Sequence, residues 1–285
     1  MANDKILMVG NSNTSSASVF LSLSDTNVLK GVALIFLLIH HLFYEGNMPI
    51  DDIIVRDNSL VRTIGVWCKV CVAIFVFLSG YGLTVSADKS GGIGNVWHFY
   101  AHRYLKLMIN YWFIYLIFVP LGVFAFGRTF DVVYHGSLLR PLWDIIGLHY
   151  AITGDEFGYN PTWWFYSCII LLYAFYPLFY KFRDFWFITI PFVLIYYYYG
   201  FRIPLLHAGS QYAPCFLAGI YLASHKNKKL FAGHNKTVLY NITMLAALIL
   251  VCVQRYKCPT ALWDVLIVAT LSAIYMQIKL PSILM

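Results

Sequence analysis

Two adjacent histidines, His40 and His41, end an apolar stretch near the start of the chain, Lys30-Gly-Val-Ala-Leu-Ile-Phe-Leu-Leu-Ile-His40-His41. An imidazole suits proton transfer, because its ordinary pKa of about 6.5 lies close to the usual working pH. An ionisable group inside an apolar helix is costly, so its presence there favours a functional role. We interpret the pair as a candidate general base. The alternative is that the two rings only pack at an interface.

The spacing between Lys30 and His41 distinguishes the two histidines. Eleven residues correspond to about three helical turns, so Lys30 and His41 are expected on one helix face, roughly 16 Å apart. His40 is rotated by about 100° from that face. This arrangement favours His41 as the base and makes Lys30 a candidate binding residue.

A serine and two glycines lie in the next apolar stretch, Phe75-Val-Phe77-Leu-Ser79-Gly80-Tyr81-Gly82. Small residues of this kind let helix backbones approach closely, which is a purely structural use. The hydroxyl of Ser79 is also a candidate donor to an oxyanion.

Two cations, Arg103 and Lys106, follow a basic segment, His98-Phe-Tyr-Ala-His102-Arg103-Tyr-Leu-Lys106. Their charges suit the phosphates of a nucleotide-derived ligand and suit anionic lipid head groups equally well. Composition does not choose between these ligands.

Trp164 belongs to Asn160-Pro-Thr-Trp163-Trp164-Phe165, which indicates a turn followed by an aromatic anchor at a membrane surface. It either anchors the helix or lines a site. Apart from the adjacent His40 and His41, no spacing typical of metal ligands is found.

The composition identifies lipid as the solvent for this fold. Of the 285 residues, 60% are hydrophobic and only 12% are charged, which fits neither the core nor the surface of a soluble domain. The net charge of +7 is typical of a membrane protein with basic cytoplasmic loops, so we do not expect nucleic acid as a partner.

Eight stretches approach the length of about 20 apolar residues that a membrane span requires. They predict an all-α polytopic bundle of about eight transmembrane helices. The predicted spans are 28–44, 63–86, 107–127, 161–181, 185–200, 208–224, 237–254 and 259–279. The stretch from Leu138 to Tyr150 is too short to span and is interpreted as interfacial or re-entrant.

The distribution of charge predicts the orientation. One side of the predicted bundle carries twelve Lys and Arg against four Asp, and the other carries seven against eight acidic residues. Because short cytoplasmic loops carry the basic excess, both termini are predicted to be cytoplasmic. The two acidic segments, 45–62 and 128–160, are predicted to lie outside. Residues 1–27 are predicted to form a polar cytoplasmic segment, and residues 28–285 are predicted to form the transmembrane domain.

Several of these features occur together in the order typical of one family. They are Lys30-Gly31 with His41, Phe77-Leu-Ser79-Gly80, Arg103-x-x-Lys106, Trp164 to Tyr173 to Pro177, and, more weakly, Phe216-Leu-Ala-Gly219. In these residues the chain resembles the integral membrane acyltransferase-3 family, a group of O-acetyltransferases for cell-surface polysaccharides.

The resemblance implies a multi-pass enzyme of the cytoplasmic (inner) cell membrane, an acyltransferase that transfers groups other than aminoacyl groups. It implies transfer of an acetyl group from cytoplasmic acetyl-CoA to a hydroxyl of an extracytoplasmic polysaccharide or glycolipid, without a metal. The family's first-helix cation and histidine would be Lys30 and His41, and its cytoplasmic cation pair would be Arg103 and Lys106. The expected partners are acetyl-CoA, a cell-surface glycan or lipid-linked sugar, and membrane lipid.

The chain departs from the family pattern in three respects. Lysine replaces arginine at positions 30 and 106, which keeps the charge but loses the bidentate fork. Ile169 and Ile170 stand where many members carry acidic residues. The family typically has about ten helices, so the domain 28–285 is expected to be incomplete at its C-terminus. A transporter or flippase for a lipid-linked sugar or small metabolite is the alternative function, since a bundle with polar groups at mid-depth serves transport too.

Overall fold

The computed structural model describes residues 20–44, 60–155, 158–203, 205–225, 238–257 and 261–278. Within those ranges all regular structure is helical. Residues 1–19 and most of the predicted outer segment 45–62 lie outside the described residues.

Thirteen α-helices occur in the described ranges, and we number them in chain order. They are α1 (Leu23–Tyr44), α2 (Leu60–Cys68), α3 (Val70–Lys89), α4 (Val96–Phe126), α5 (Phe130–Tyr134), α6 (Arg140–Ile145), α7 (His149–Thr153), α8 (Trp164–Lys181), α9 (Trp186–Tyr199), α10 (His207–Ser210), α11 (Ala213–Ser224), α12 (Val238–Lys257) and α13 (Ala261–Ile278). Short 3-10 turns lie at Pro161–Trp163 and Gly200–Arg202.

Each of the eight predicted spans coincides with an apolar helical segment. Four of these are long and apolar enough to cross a membrane: Leu23–Phe43, Val61–Lys89, Val96–Phe126 and Pro161–Lys181. Four are shorter: Trp186–Tyr199, Ala213–Ser224, Ile242–Arg255 and Leu262–Met276. The prediction of an apolar helical bundle is confirmed, whereas the number of crossings stays a prediction. The stretch 138–150 forms only short helical pieces, as its length predicted.

The first helix begins at Leu23, five residues before the predicted span. Ser22 and Asp25 form a reciprocal cap, in which the Asp25 amide donates to Ser22 Oγ at 3.1 Å and the Ser22 amide donates to Asp25 Oδ2 at 2.8 Å. This pair satisfies amides that a helix start leaves unpaired. A boundary judged from hydropathy alone misses it, because both residues are polar.

The fourth helix also begins earlier than predicted, at Val96 instead of residue 107. The side chain of Asn95 accepts hydrogen bonds from the amides of Trp97 and His98, at 2.9 and 3.1 Å, and so caps the helix. Arg103 and Lys106 therefore lie on a helix and not in a loop, and their spacing of three residues puts them on neighbouring positions of one face.

The predicted span 63–86 consists of two helices with a break at Lys69, an exposed residue. The Lys69 amide donates to the Val66 carbonyl, and the Val72 amide donates to the Lys69 carbonyl, both at 3.3 Å. These are bonds between residues three apart, which tighten the backbone locally.

Helices α3 and α11 form the centre of the core, and they touch backbone to backbone. A methyl group at Gly80 would overlap the carbonyl oxygen of Phe216, and a methyl group at Gly219 would overlap the carbonyl oxygen of Phe77. The two short motifs singled out from the sequence, Phe77 to Gly80 and Phe216 to Gly219, therefore interlock reciprocally. Small residues at the contact are the usual means of close helix packing in a membrane.

The pairing of charged groups agrees with the predicted grouping of loops into two sides. At one end, Arg183 Nη1 lies 2.7 Å from Asp88 Oδ1, and the Tyr275 hydroxyl donates to Asp25 Oδ1 at 3.0 Å. At the other end, Arg140 Nη1 lies 3.5 Å from Asp155 Oδ2. Which end is cytoplasmic stays a prediction.

Arg255 differs from its predicted place. It is one of the seven cations of the predicted outer side, but it lies within α12, is 9% exposed, and forms an ion pair with Asp264 of α13. Its Nη1 also donates to the Val66 carbonyl at 3.3 Å. Arg255 is thus a packing residue that joins three helices, because a buried charge requires a partner.

Substitution of Gly80 tests the contact between α3 and α11. We expect Gly80→Ala to lower the free energy of unfolding by about 1–3 kcal/mol, because the added methyl group meets a backbone carbonyl that cannot rotate away. Gly82→Ala is the matched control on the same helix, since nothing lies within 4 Å of its added methyl group. Thermal unfolding in detergent measures both variants, and equal stabilities would contradict the packing described.

Candidate functional site

The two histidines at the end of α1 have different surroundings. His40 is 8% exposed, and its Nδ1 lies 2.8 Å from the Gly65 carbonyl oxygen of α2. A carbonyl only accepts, so Nδ1 carries the proton and donates. His41 is exposed, with its ring centroid 5.3 Å from that of His40.

Lys30 and His41 share one face of α1, in agreement with the spacing argument. Both side chains are exposed, and so are Leu34 and Leu38 between them. This face is turned away from α2 and α3, the helices against which α1 packs. His41 is therefore the accessible histidine of the pair, and His40 is held by a neighbouring helix.

A cleft of about 420 Å³ lies between α4 and α8, and we call it the Arg103 cleft. It is lined by Tyr100, Ala101, Arg103, Tyr104, Leu107, Ile170, Tyr173 and Ala174. Its volume lies within the range of about 300–1,000 Å³ that small-molecule sites occupy. The walls are apolar apart from the guanidinium and the tyrosine hydroxyls.

Arg103 is fixed at the edge of this cleft by two contacts. Its Nη2 donates to Ser86 Oγ of α3 at 3.2 Å, and its Cζ lies 5.9 Å from the centroid of the Phe99 ring. The guanidinium remains half-buried. Because an arginine has five N–H donors, these contacts leave donors for a ligand.

Ser79 and Lys106 lie in different positions relative to the Arg103 cleft. Ser79 of α3 is half-buried and interacts with the hydroxyl of Tyr173, which lines the cleft. Lys106 is exposed on α4, about one turn beyond Arg103, and does not line it. The structure thus brings Arg103, Tyr173 and Ser79 together and leaves Lys106 outside the lining of the cleft.

A second site lies next to the Arg103 cleft along α4 and α8, around the buried carboxylate of Asp144. Asp144 is only 2% exposed. Its Oδ2 accepts from the Tyr134 hydroxyl at 2.5 Å and from the Tyr159 amide at 3.0 Å. The Tyr111 hydroxyl donates to the Asp144 carbonyl oxygen at 2.6 Å. Three separate segments are therefore tied to one residue.

His149 and Trp164 complete this second site, which we call the His149 pocket. It is lined by Tyr111, Asp144, Gly147, His149, Tyr150, Asp155, Gly158, Asn160, Trp163 and Trp164. His149 is 5% exposed, and its Nε2 has no hydrogen-bond partner among the described residues. The ring of Trp164 stacks on that of Tyr212, with centroids 5.9 Å apart. Trp164 therefore lines a pocket, although not the one that holds Arg103.

Sequence reasoning missed Asp144 and His149. Asp144 is one of the eight acidic residues of the predicted outer side, and nothing in the spacing around His149 singles it out. The stretch from Leu138 to Tyr150 does carry a signal, because it holds an acidic residue and a histidine but is too apolar for an ordinary loop and too short to span. Buried ionisable groups of this kind cluster at functional sites.

Burial raises the pKa of the Asp144 carboxyl above its ordinary range. The hydrogen bonds from the Tyr134 hydroxyl and the Tyr159 amide and the charge of nearby His149 oppose this effect. Among the described residues, no three His, Cys, Asp or Glu side chains lie close enough to hold a metal ion.

A comparison with known protein families identifies the family of this chain. A family model described as an acyltransferase domain matches residues 24–279, which include all seven of the predicted site residues. The chain belongs to the acyltransferase-3 family. No curated protein and no solved structure matches it. As a member of this membrane family the protein is an acyltransferase, so it uses an acyl donor and an acceptor.

The pKa of Asp144 predicts how stability depends on pH. Because the folded state raises this pKa, the folded protein favours the protonated carboxyl, and the stability from this group is lost as pH rises through the raised value. We expect the melting temperature of the wild type to fall relative to that of Asp144→Asn as pH increases from about 4, the ordinary pKa of an aspartate.

Tryptophan fluorescence during heating, recorded between about pH 4 and 8, measures this difference. Asp131→Asn, which changes an exposed carboxylate in the same segment, is the control and should leave the pH dependence unchanged. The prediction would be contradicted if the melting temperatures of the wild type and Asp144→Asn differed by the same amount at every pH.

Proposed function

We propose that this acyltransferase is an O-acetyltransferase that moves an acetyl group from cytoplasmic acetyl-CoA to a hydroxyl of an extracytoplasmic polysaccharide or glycolipid. The observation that carries the proposal is the Arg103 cleft, an apolar cavity with a fixed cation at its edge. The predicted orientation puts this cleft on the cytoplasmic half of the bundle, where acetyl-CoA is available.

The chemistry of the Arg103 cleft suits an acyl-pantetheine arm with phosphates at one end. The arm is long and narrow and fits between helices, while the phosphates require cations at the cytoplasmic surface. Arg103 supplies charge-assisted hydrogen bonds to phosphate oxygens, and Lys106, about one turn away, adds a second charge. A lysine binds phosphate as a point charge, so the Lys at position 106 is compatible with this role.

His41 is proposed as the general base, because it is the accessible histidine on the face of Lys30. The sugar hydroxyl gives its proton to neutral His41, and its oxygen attacks the thioester carbonyl carbon. A new ester C–O bond forms while the C–S bond breaks, and the proton passes from His41 to the sulfur of CoA. A thioester is already activated, so the step requires no metal.

His40, in this proposal, positions the end of α1. Its hydrogen bond to the Gly65 carbonyl fixes one ring nitrogen, and its burial keeps it from the accessible face. Ser79 and Tyr173 supply neighbouring hydroxyls beside the cleft, which suits them to donate hydrogen bonds to the thioester oxygen as negative charge develops.

Substitution of the histidines tests the assignment of the base. We expect His41→Ala to lower kcat by about 10²–10⁴-fold, which is the usual contribution of a general base, with little change in thermal stability. His40→Ala should lower stability, because it leaves the Gly65 carbonyl unpaired, and should reduce kcat far less. O-acetylation of the surface polymer measures both variants, and full activity without His41 would remove it from the mechanism.

Binding of CoA to the purified protein distinguishes an acyltransferase using this donor from a transporter. We expect CoA to raise the melting temperature by a few degrees, since a ligand that binds only the folded state stabilises it. Arg103→Ala should abolish most of this shift, whereas Lys89→Ala, an exposed cation at the end of α3, should preserve it. No shift with CoA, together with saturable sugar uptake in proteoliposomes, would favour the transporter instead.

A further inference from the structure

The His149 pocket has room for one small polar group. Its volume is about 10 Å³, which is close to the space that a single water molecule occupies. It lies between α6, α7 and the start of α8, on the predicted outer side. A hydroxyl group is similar in size to a water molecule and, like water, both donates and accepts hydrogen bonds.

His149 provides an unused hydrogen-bonding atom in this pocket. The side chain is 95% buried, and its Nε2 has no partner among the described residues. A buried nitrogen without a hydrogen-bond partner is unfavourable, so a ligand group that bonds to it is favoured. No other buried side-chain nitrogen or oxygen in the described part of the chain lacks a partner.

A glycine lies beside His149 and the Asp144 carboxylate. Gly158 has no side chain, and a methyl group there would lie 3.1 Å from both Asp144 Oδ1 and His149 Nδ1. Tyr134 and the Tyr159 amide hold the Asp144 carboxylate in place on one side. The absence of a side chain at position 158 therefore leaves space beside Asp144 Oδ1 and the Nδ1 side of the His149 ring.

Trp164 adds an aromatic surface beside these polar groups. Its ring is half-buried and stacks on Tyr212, so one part remains available to a ligand. Tyr150 packs edge-on against it, with ring centroids 6.2 Å apart. A sugar has apolar C–H faces and a rim of hydroxyls, so it suits a site that combines an aromatic ring with a few placed hydrogen-bonding groups.

We propose that the His149 pocket is the acceptor subsite of this enzyme, in which a sugar hydroxyl hydrogen-bonds to His149 Nε2 and the sugar ring lies against Trp164. This inference rests on the proposed function, since it requires a carbohydrate acceptor. The hydroxyl held by His149 orients the sugar and is not the one that becomes acylated. His149 is therefore a binding residue, and His41 remains the base.

The test is a steady-state assay in membrane vesicles that contain the full chain. The donor is radiolabelled acetyl-CoA, and the acceptor is the surface polysaccharide of the source cells after removal of its O-acetyl groups with mild base. The variants are His149→Asn, whose amide does not reach the position of Nε2, and His149→Gln, whose amide does. His135→Asn, at an exposed histidine of the same segment, is the matched control.

We expect His149→Asn to raise the KM for the polysaccharide about three- to tenfold, which corresponds to the loss of one hydrogen bond, and to leave kcat and the KM for acetyl-CoA unchanged. His149→Gln should restore most of the affinity, and His135→Asn should behave as wild type. A higher KM with an unchanged kcat is not expected from a residue that only stabilises the fold.

Two results would overturn the inference while leaving the proposed function intact. An unchanged KM for the polysaccharide with a lower melting temperature would mean that Nε2 binds an ordered water only. A lower kcat with unchanged KM would move His149 into the chemical step. A wild-type protein that transfers no acetyl group to the polysaccharide would overturn the proposed function and this inference with it.

Discussion

The close contact between α3 and α11 is the constraint on which the rest of the bundle depends. Gly80 and Gly219 let each backbone lie against a carbonyl of the other helix, at Phe216 and Phe77. In a membrane, helices gain little from burying apolar side chains away from lipid, so close packing must supply the attraction between them. The same contact sets the position of Ser79, which lies one residue before Gly80.

Polar interactions at the ends of the helices orient the other elements around this centre. The Leu21 amide donates to the Tyr81 hydroxyl at 2.7 Å, which ties the start of α1 to α3. Asp88, at the end of α3, pairs with Arg183 beyond α8. Arg103 reaches Ser86 from α4. These bonds converge on one end of α3, and the last of them holds Arg103, which lines the Arg103 cleft.

The two candidate sites lie next to each other along α4 and α8, which contribute to both. Helix α4 carries Arg103 and, about two turns further along, Tyr111, which donates to the Asp144 carbonyl oxygen. Helix α8 begins with Trp164 at the His149 pocket and continues to Tyr173 at the Arg103 cleft. Such an arrangement suits a transfer reaction in which a donor and an acceptor meet between the same two helices.

The amino-acid sequence by itself determined the solvent of the fold, the eight apolar segments, and the shared face of Lys30 and His41, because these depend on composition and on the period of one helix. Only the tertiary structure decided that Arg103 and Ser79 meet at Tyr173 while Trp164 lies at another pocket, and that Asp144 and His149 are buried together. The physical reason is that burial and pairing depend on which helices touch. Contacts such as Tyr134 to Asp144 join short elements whose relative positions no periodic pattern encodes.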